Sequence, residues 1–477
     1  MTKDTQRYCP LIKVLCLLGM ANVNEATVDY SNKIILAPMV RMNTLPFRLL
    51  SLDHGVDLVY SEELVDHKLV KTERRVNDVL GTVDFVDPLD GQIVFRTCPR
   101  EKNKIILQIG TASAERALEA AKKVEKDVAG IDINMGCPKQ FSLAGGMGAA
   151  LLSTPDVACD ILTTLVNNLS IPVTCKVRVF TNESDTIALC KRLEACGIAA
   201  IGVHGRTKAE RPRHANRVDM IRTLTQHLKI PVIANGGSKH IVDYPSILKF
   251  KAVTNASSVM IARAAQDNCS IFSPTTGVKD IHQLIKEYLK YCVDYDNSAP
   301  NSKYCVQSML GSQQESPLGR KFLESQSLEK MCQLWGLGDY WLEKKAKYNT
   351  GGLRSRWEVT PAPPAKKART QYSDMDASDV FSLNCAFLRN LYPVEKLPKT
   401  LLYAHCKFQH YDQPKYETTQ NEKLFRSLLT VNGKQYTSQF WEKNKRNAEQ
   451  GAAIVCLSAL SFPEYSQTEL RETGVLR

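Results

Sequence analysis

The chain lacks the patterns of a disulfide or metal framework. Its 15 cysteines in 477 residues form no Cys-x-x-Cys pair. The odd count argues against a complete set of disulfides, and the missing pairs argue against a zinc ribbon. No apolar run approaches the ~20 residues needed to cross a bilayer. We therefore predict a protein of a reducing, cytoplasmic compartment, without membrane insertion or a metal site, whose thiols are mostly small buried groups.

A strong charge imbalance and a dinucleotide-binding fold are also missing. Lysine and arginine number 62 against 50 aspartate and glutamate, a formal net charge of +12. This surplus favours a polyanionic partner such as a nucleic acid, although basic proteins without one are common.

The glycine-rich segment Gly145-Gly-Met-Gly148 is similar to a dinucleotide-binding loop, but its spacing is wrong and no ribose-binding acid follows it. We expect no separate dinucleotide-binding domain.

Short β-type runs alternate with amphipathic helical segments from Lys33 onward, as is typical of parallel βα units. There are eight such runs, and eight strands close a (β/α)8 TIM barrel of the usual size, about 240 residues. The segment 80–99 interrupts the rhythm and is expected to form an excursion on a loop. The predicted strands are 34–38, 58–61, 105–109, 130–134, 173–178, 200–204, 232–234 and 258–261.

The rest of the chain divides by composition and pattern. An apolar stretch before residue 22 could be a signal peptide, but Lys13 interrupts it, so an extension ahead of the barrel is the preferred interpretation. The predicted order is an N-terminal extension over 1–32, the barrel over 33–275, a helical domain over 276–348, a basic Pro/Gly linker over 349–372, an α-β-β-β-α domain over 373–460 and a tail over 461–477.

Polar or conformationally special residues follow every predicted strand. Barrel active sites lie at the C-terminal ends of the strands. Taken alone, Gln108 could merely satisfy a backbone group and Lys176 could be a solvated charge. Eight strand ends carrying such groups together predict a site. The candidates are Pro38, Met39, Glu62, Glu63, Gln108, Asn134, Cys137, Lys176, Arg178, His204, Asn235, Gly236, Gly237, Ala262 and Arg263.

Two of these loops suit a phosphate group. Asn235-Gly236-Gly237 follows the seventh strand, and Ala262-Arg263 follows the eighth. In barrels, the loops in these positions often bind phosphate through backbone N–H groups, and glycine permits the close approach. A plain turn at Gly-Gly is the alternative. By position, the pattern predicts a phosphate-terminated cofactor.

The segment 131–139 ends a β-type run in Gly136-Cys137-Pro138. Glycine lets the backbone turn and proline stiffens the exit, so the thiol would be presented at a defined point; a buried inert cysteine is the alternative. Together with 145–148, this segment resembles the active-site signature of the tRNA-dihydrouridine synthases, flavoenzymes that reduce a uracil ring in tRNA.

The resemblance implies an FMN cofactor and NADPH, or NADH, as a transiently docked reductant. It implies that Lys176 lies beside the flavin N1–C2=O edge, that Gln108 and Asn134 hold its pyrimidine edge, and that Arg178 and Arg206 bind substrate. Cys137 would give a proton to C5 after hydride reaches C6, because a thiol of pKa ~8.5 is mostly protonated near pH 7. The family's flavin-binding places correspond here to Pro38, Met39, Val40, Glu63, Gln108, Asn134, Lys176, His204, Asn235, Gly236, Gly237, Ala262 and Arg263.

The helical segments 281–295, 303–310 and 321–335 resemble the tRNA-binding domain that follows the barrel in this family. The last helix, 443–460, resembles the end of double-stranded-RNA-binding domains, in which basic residues contact phosphates. The usual Gly-Pro-x-His loop is absent, with Gln-Asn-Glu-Lys at 420–423. Members with such a domain act on uridine 20 of the D-loop. The expected RNA contacts are Lys366, Lys367, Arg369, Lys443, Lys445 and Arg446.

Two other functions fit parts of the pattern. One is another flavin barrel that reduces a free pyrimidine, similar to a dihydroorotate dehydrogenase, against which the RNA-type domain argues. The other is a catalytically silent RNA-binding adaptor that keeps the barrel as a scaffold, against which the presence of Cys137, Lys176 and His204 argues. A basic α/β domain without an RNA role also stays open for the C-terminal part.

Overall fold

The computed structural model describes residues 28–89, 91–352, 380–393, 396–421, 424–442 and 444–476. The chain forms two compact units, divided between residues 365 and 366. Four of the predicted RNA-contact residues lie outside the described residues: Lys366, Lys367, Arg369 and Lys443.

Eight parallel strands form the centre of the first unit. Each pairs with its neighbours in chain order, and the pairings of β1 with β8 and of β2 with β3 close the cylinder. The predicted (β/α)8 TIM barrel is confirmed, and each predicted strand is found to within two residues. The strands are β1 Ile34–Leu36, β2 Leu58–Tyr60, β3 Ile105–Gly110, β4 Gly130–Met135, β5 Val173–Arg178, β6 Ala200–His204, β7 Val232–Asn235 and β8 Ser258–Ile261.

Alternation along the strands sorts side chains between the barrel interior and the surrounding helices. A separate apolar cluster, which includes Ile35, Ile106 and Met260, fills the interior. Tyr30 joins this cluster from before β1 and is 2% exposed. The interior is therefore a packed core, above which the C-terminal strand ends carry the polar groups.

Helices connect the strands of the barrel, and three of them begin at a capping side chain. Ser113, Asn182 and Asp243 each accept a backbone N–H at a helix start. No helix among the described residues is long and apolar enough to cross a membrane. The helices are Leu45–Asp53, Asp66–Val70, Ala114–Val124, Gln140–Ala144, Pro155–Asn168, Glu183–Glu194, Val218–His227, Tyr244–Thr254 and Arg263–Asp267.

The excursion predicted over 80–99 is an antiparallel three-stranded sheet that begins earlier, with strands Glu73–Asn77, Thr82–Val86 and Ile93–Thr97. Arg96 is almost fully buried and pairs with Asp84 at 2.6 Å. Its guanidinium also donates to the carbonyl of Tyr295, which ties the sheet to the helices that follow the barrel.

Five helices follow the barrel: Ile281–Asp294, Ala299–Leu310, Pro317–Glu324, Leu328–Leu334 and Gly338–Thr350. The helix expected over 321–335 is two helices, because Ser325 ends the first and Ser327 caps the second. The last helix lies in the predicted helical domain but was not among the three segments named there; its Trp341 is 3% exposed and belongs to the main core.

The second unit is a four-stranded sheet with two long helices. Its strands are β9 Val380–Leu383, β10 Lys415–Asn421, β11 Leu424–Val431 and β12 Lys434–Ser438, and its helices are Pro398–Phe408 and Lys445–Ala459. The sheet order is β9-β12-β11-β10, with β9 parallel to β12 and the other pairs antiparallel. The α-β-β-β-α core is as predicted, and β9 is an additional strand.

The segment that sequence analysis treats as a tail packs on this unit. Tyr465, Leu470 and Val475 are each at most 2% exposed and belong to its core. The segment contains a short helix, Gln467–Glu472. After this helix the chain returns to the segment that follows β9, where Ala386 N donates to Val475 O at 2.9 Å. Residues 463–475 therefore belong structurally to the second unit.

A buried ion pair joins the first barrel helix to the loop before β3. Arg48 is 2% exposed and Glu101 is 0% exposed. The guanidinium donates to both carboxylate oxygens at 2.8 and 2.5 Å, and to the carbonyls of Asn43 and Arg96. This cluster connects three loops at one edge of the barrel.

We predict that Arg48→Met destabilises the protein by about 3–5 kcal/mol, because it leaves the Glu101 charge buried without its partner. Urea denaturation followed by circular dichroism measures the loss. Arg75→Met is the control, since Arg75 and its partner Glu73 are both more than half exposed, and its unfolding midpoint should match the unaltered chain. Equal midpoints for all three proteins would contradict the prediction.

Candidate active site at the barrel mouth

Strand register brings the predicted polar residues together at one end of the barrel. Gln108 lies opposite Asp132 across the β3–β4 ladder, and Asn134 lies opposite Lys176 across the β4–β5 ladder. Gly202 of β6 lies opposite Lys176, where an added Cβ would be 3.2 Å from the lysine Cγ. The absence of a side chain on Gly202 therefore leaves room for the lysine stem.

A directed chain of hydrogen bonds runs from a buried carboxylate to the backbone of the candidate cysteine. Asp132 accepts from Gln108 Nε2 at 2.8 Å and from Thr174 Oγ1 at 2.7 Å. Gln108 Oε1 accepts from Asn134 Nδ2 at 3.2 Å, and Asn134 Oδ1 accepts the backbone N–H groups of Gly136 and Cys137 at 2.9 and 3.0 Å. The amides can thus face only one way while the carboxylate is ionised.

Asp132 was not among the sequence candidates. It is 1% exposed, and burial raises the pKa of Asp132 to about 6, while the bonds from Gln108 and Thr174 oppose that rise. It therefore stays mostly ionised at pH 7. The sequence does contain a clue to Asp132. It lies two residues before Asn134 in a β-type run, so both side chains are expected on the same face of the strand.

Lys176 supplies a positive charge inside the mouth. Burial lowers the pKa of Lys176 to about 8; neighbouring Arg178 acts in the same direction and Asp132 in the opposite one. The ammonium therefore remains largely protonated at pH 7. A cation at this enclosed strand end suits a partner that gains negative charge.

His204 lies at the end of β6 among cations. Burial lowers the pKa of His204 to about 2, and Lys176, Arg178, Arg206 and Arg263 act in the same direction. The imidazole is therefore neutral, and Arg206 Nη1 lies 2.9 Å from its Nε2. A neutral ring that accepts this bond presents its other nitrogen as an N–H donor.

The two arginines predicted to bind substrate make bonds to the backbone in the structure. Arg178 donates to Gly136 O at 2.7 Å and to Thr207 O at 3.0 Å. Arg206 is 4% exposed and donates to His214 O at 2.8 Å. Arg178 thus braces the turn that carries the thiol, and Arg206 braces the loop after β6.

Cys137 is half-buried at the end of β4. Burial raises the pKa of the Cys137 thiol, and the nearby Glu63 carboxylate raises it further, against weaker opposing contacts from Lys139 and Ser142. Burial raises the pKa of Glu63 as well, and its Oε1 has no hydrogen-bond partner among the described residues. The site therefore favours a protonated thiol at neutral pH.

The segment after Cys137 packs tightly against it. Ala149 N donates to Cys137 O at 3.0 Å. Gly148 has φ +60°, and an added Cβ would lie 2.5 Å from Ser142 Oγ and 2.9 Å from Cys137 Cβ. No side chain fits at Gly148, so the chain passes directly over the cysteine.

The loops after β7 and β8, here called the cradle, pass closest to neighbouring side chains at two glycines. Gly236 has φ +115°, and an added Cβ would lie 2.4 Å from Asn216 Oδ1; Gly237 has φ +72°. Asn235 is pinned by its donation to Met260 O at 2.8 Å, and Ala262 leads directly into the short helix that starts at Arg263. Both amide atoms of Asn216 are buried without partners among the described residues.

The turn after β1, residues 38–40, forms another part of the rim. Met39 O accepts from Asn43 N at 3.1 Å. Asn43 Nδ2 donates to Ala37 O at 2.7 Å and to Tyr60 O at 2.8 Å. This amide holds the ends of β1 and β2 together and places the turn beside the mouth, with Val40 43% exposed.

In the second unit, the two predicted RNA-contact residues that the structure describes lie together. Lys445 and Arg446 are exposed in the first turn of the helix Lys445–Ala459. Asn444 caps this helix by accepting Asn447 N at 2.9 Å. The Ala-rich face behind them is buried against the sheet, so the basic pair faces solvent.

We predict that Cys137 reacts slowly with iodoacetamide at pH 8 and that its alkylation midpoint lies above the usual thiol value of about 8.5. Glu63→Gln should lower that midpoint, because it removes the neighbouring negative charge. Peptide mass spectrometry isolates the Cys137 signal. Glu62→Gln is the matched control and should leave the profile unchanged; an unchanged profile in Glu63→Gln would remove Glu63 from the environment of the thiol.

Comparison with known proteins identifies both parts of the chain. Residues 35–314 match the family model described as Dihydrouridine synthase, and residues 398–460 match that of the Double-stranded RNA binding motif. A crystal structure of a tRNA-dihydrouridine(20) synthase dsRBD domain is 42% identical, covers 19% of this chain and 97% of that chain, and has a TM-score of 0.18.

Two curated relatives match more than half of the chain. The tRNA-dihydrouridine(20) synthase (NAD(P)+) of Schizosaccharomyces pombe is 40% identical over 296 residues, which are 60% of this chain and 61% of that protein. The protein of the same name from Saccharomyces cerevisiae is 38% identical over 300 residues, 59% of this chain and 78% of that protein. The family match spans more than half of the sequence, and the chain belongs to the dihydrouridine synthase family.

Proposed function

We propose that this chain reduces a uridine in tRNA to 5,6-dihydrouridine, with NADPH or NADH as the electron source and FMN as the resident cofactor. The observation that carries the proposal is the position of Cys137, which is half-buried at the end of β4 with Lys176 on the neighbouring strand, in a barrel of this family. The two yeast relatives are named for position 20, and we extend that position to this chain.

The residues at the mouth fit FMN. The cradle at Gly236–Gly237 offers backbone N–H groups where no side chain could fit, in the loop position that commonly holds phosphate in barrels. Arg263 and Arg206 lie close enough to His204 to influence its titration, so positive charge surrounds the same pocket. Bound FMN would supply hydride transfer between the nicotinamide and C6 of uracil.

The chain's own residues would orient the flavin ring. Gln108 and Asn134 present amide groups whose direction is set by ionised Asp132, so their remaining donor and acceptor positions are fixed before anything binds. Lys176 adds an ammonium, largely protonated at pH 7, that stabilises negative charge on a reduced ring. This preorganisation avoids rearrangement during electron transfer.

Cys137 would then hold the proton that reaches C5 of the uracil. Its raised pKa keeps the thiol protonated near neutral pH, which suits a general acid and disfavours a thiolate nucleophile. Arg178 fixes the turn through Gly136 O, so the sulfur cannot drift from its strand end. Cys137 would have no role when NADPH or NADH reduces the protein.

We predict that Cys137→Ala lowers dihydrouridine formation roughly 100-fold or more, the usual contribution of a positioned acid, while NADPH still reduces the protein without tRNA. Liquid chromatography with mass spectrometry of nucleosides from treated tRNA measures the product. Cys159→Ala, a half-buried thiol on a barrel helix, is the control. Dihydrouridine formation by Cys137→Ala at the control rate would refute the acid role. If the unaltered chain reduces free uracil compounds but not tRNA, the proposal that tRNA is the substrate is wrong.

We further propose that the second unit adds affinity for RNA without taking part in the chemistry. Lys445→Ala with Arg446→Ala should weaken tRNA binding and reduce the salt-dependence slope by up to ~2 phosphate contacts. The control is Lys434→Ala with Arg471→Ala, which removes the same charge from exposed positions elsewhere on the unit. Equal salt slopes in both pairs, measured by filter binding, would contradict a specific basic surface.

A further inference from the structure

Phe141 stands out at the active-site end of the barrel because its ring is exposed. It is 56% exposed, and no other phenylalanine, tyrosine or tryptophan among residues 28–89 and 91–352 is similarly exposed. It follows Cys137 by only four residues and does not belong to the apolar core clusters. An exposed aromatic ring at this point is available for contact with a partner outside the chain.

The segment that carries Phe141 is tied to the thiol. Gly145 N donates to Phe141 O at 3.1 Å, and Met147 N donates to Ser142 O at 2.9 Å. Ser142, the next residue after Phe141, is 0% exposed and lies beside the cysteine. Ala149 N closes the loop on Cys137 O at 3.0 Å. The phenyl ring is therefore displayed on a braced turn at a fixed distance from the reacting position.

Binding of the proposed substrate removes a base from its stack, and an aromatic ring can offer a new stacking contact to the RNA. A base that enters an enzyme pocket must leave its stack, which costs a few kcal/mol. Unpaired RNA bases stack readily on aromatic side chains, and each such contact is sequence-tolerant. Lys139, two residues before Phe141, and Arg178 beneath Gly136 add positive charge that favours an RNA backbone at this rim.

We propose that Phe141 is a substrate-positioning residue that stacks on an unpaired tRNA base next to the uridine that enters the barrel. The inference rests on the proposed function, since it requires an RNA substrate at Cys137. It goes further by assigning recognition of a neighbouring nucleotide to the loop that carries the acid.

The test compares Phe141→Ala, Phe141→Leu and Phe141→Tyr in the full chain. Leucine keeps apolar bulk without a π-face, whereas tyrosine keeps the ring. We expect kcat/KM for dihydrouridine formation in tRNA to fall roughly 5- to 150-fold in the alanine and leucine variants and to stay near the unaltered value in the tyrosine variant. Reduction by NADPH without tRNA should be unchanged in all three.

Three results would overturn the proposal. Leucine performing as well as tyrosine would show that only apolar bulk matters, and full activity in every variant would show that the ring has no role. A parallel loss of NADPH reduction without tRNA would assign the ring to the reductant. If the unaltered chain forms no dihydrouridine, the proposed function itself fails, which separates the two cases.

A direct readout of stacking uses 2-aminopurine placed beside the target uridine in a synthetic tRNA. Stacking on an aromatic ring quenches its fluorescence. We expect lower intensity in complexes with the unaltered chain and Phe141→Tyr than with Phe141→Ala and Phe141→Leu, at saturating protein. Equal intensity in all four complexes, with the label on either side of the uridine, would refute stacking by Phe141.

Discussion

The buried carboxylate of Asp132 determines the polarity of the active-site end of the barrel. Because an ionised carboxylate only accepts, Gln108 must turn its NH2 group toward it, and Asn134 must turn its oxygen toward the backbone of Gly136 and Cys137. The carboxylate at one end and two backbone N–H groups at the other thus fix both amides and the turn that carries the thiol. An apolar residue at position 132 would remove the acceptor of Gln108 Nε2, while the backbone N–H groups of Gly136 and Cys137 would still orient Asn134.

The opposite charge is concentrated on the neighbouring strands. Burial lowers the pKa of His204 and keeps it neutral, and the charges of Lys176, Arg178, Arg206 and Arg263 act in the same direction. The arginines satisfy part of their hydrogen bonding with backbone carbonyls, so the positive potential is built into the loops. A pocket of this kind favours an anionic cofactor and an anionic substrate together, which is what a phosphate-bearing flavin and RNA would require.

Much of this architecture could be predicted from sequence because the barrel strands are short apolar runs with special residues at their ends. Asp132 was not predicted because its role depends on hydrogen bonds from Gln108 and Thr174. These partners are 24 and 42 residues away in the sequence, so the apolar run around Asp132 does not reveal them. The strand Val380–Leu383 was missed for a similar reason: its pairing with β12 is set by tertiary contact, not by its own pattern. The sequence named Gln108 and Asn134 at their strand ends, but not Asp132 and Thr174, whose contacts set the orientation of Gln108.

The central claim is that Cys137 acts as a proton donor held in its protonated form. The most direct test is the rate at which tRNA reoxidises the pre-reduced protein in a single turnover, followed across pH. The account predicts a plateau at and below neutral pH and two falls at higher pH. The first, near pH 8, accompanies loss of the Lys176 charge and should persist in Cys137→Ser. The second follows the raised thiol pKa and should be absent from Cys137→Ser. A rate that instead rises with pH through that range would indicate a thiolate nucleophile and contradict the account.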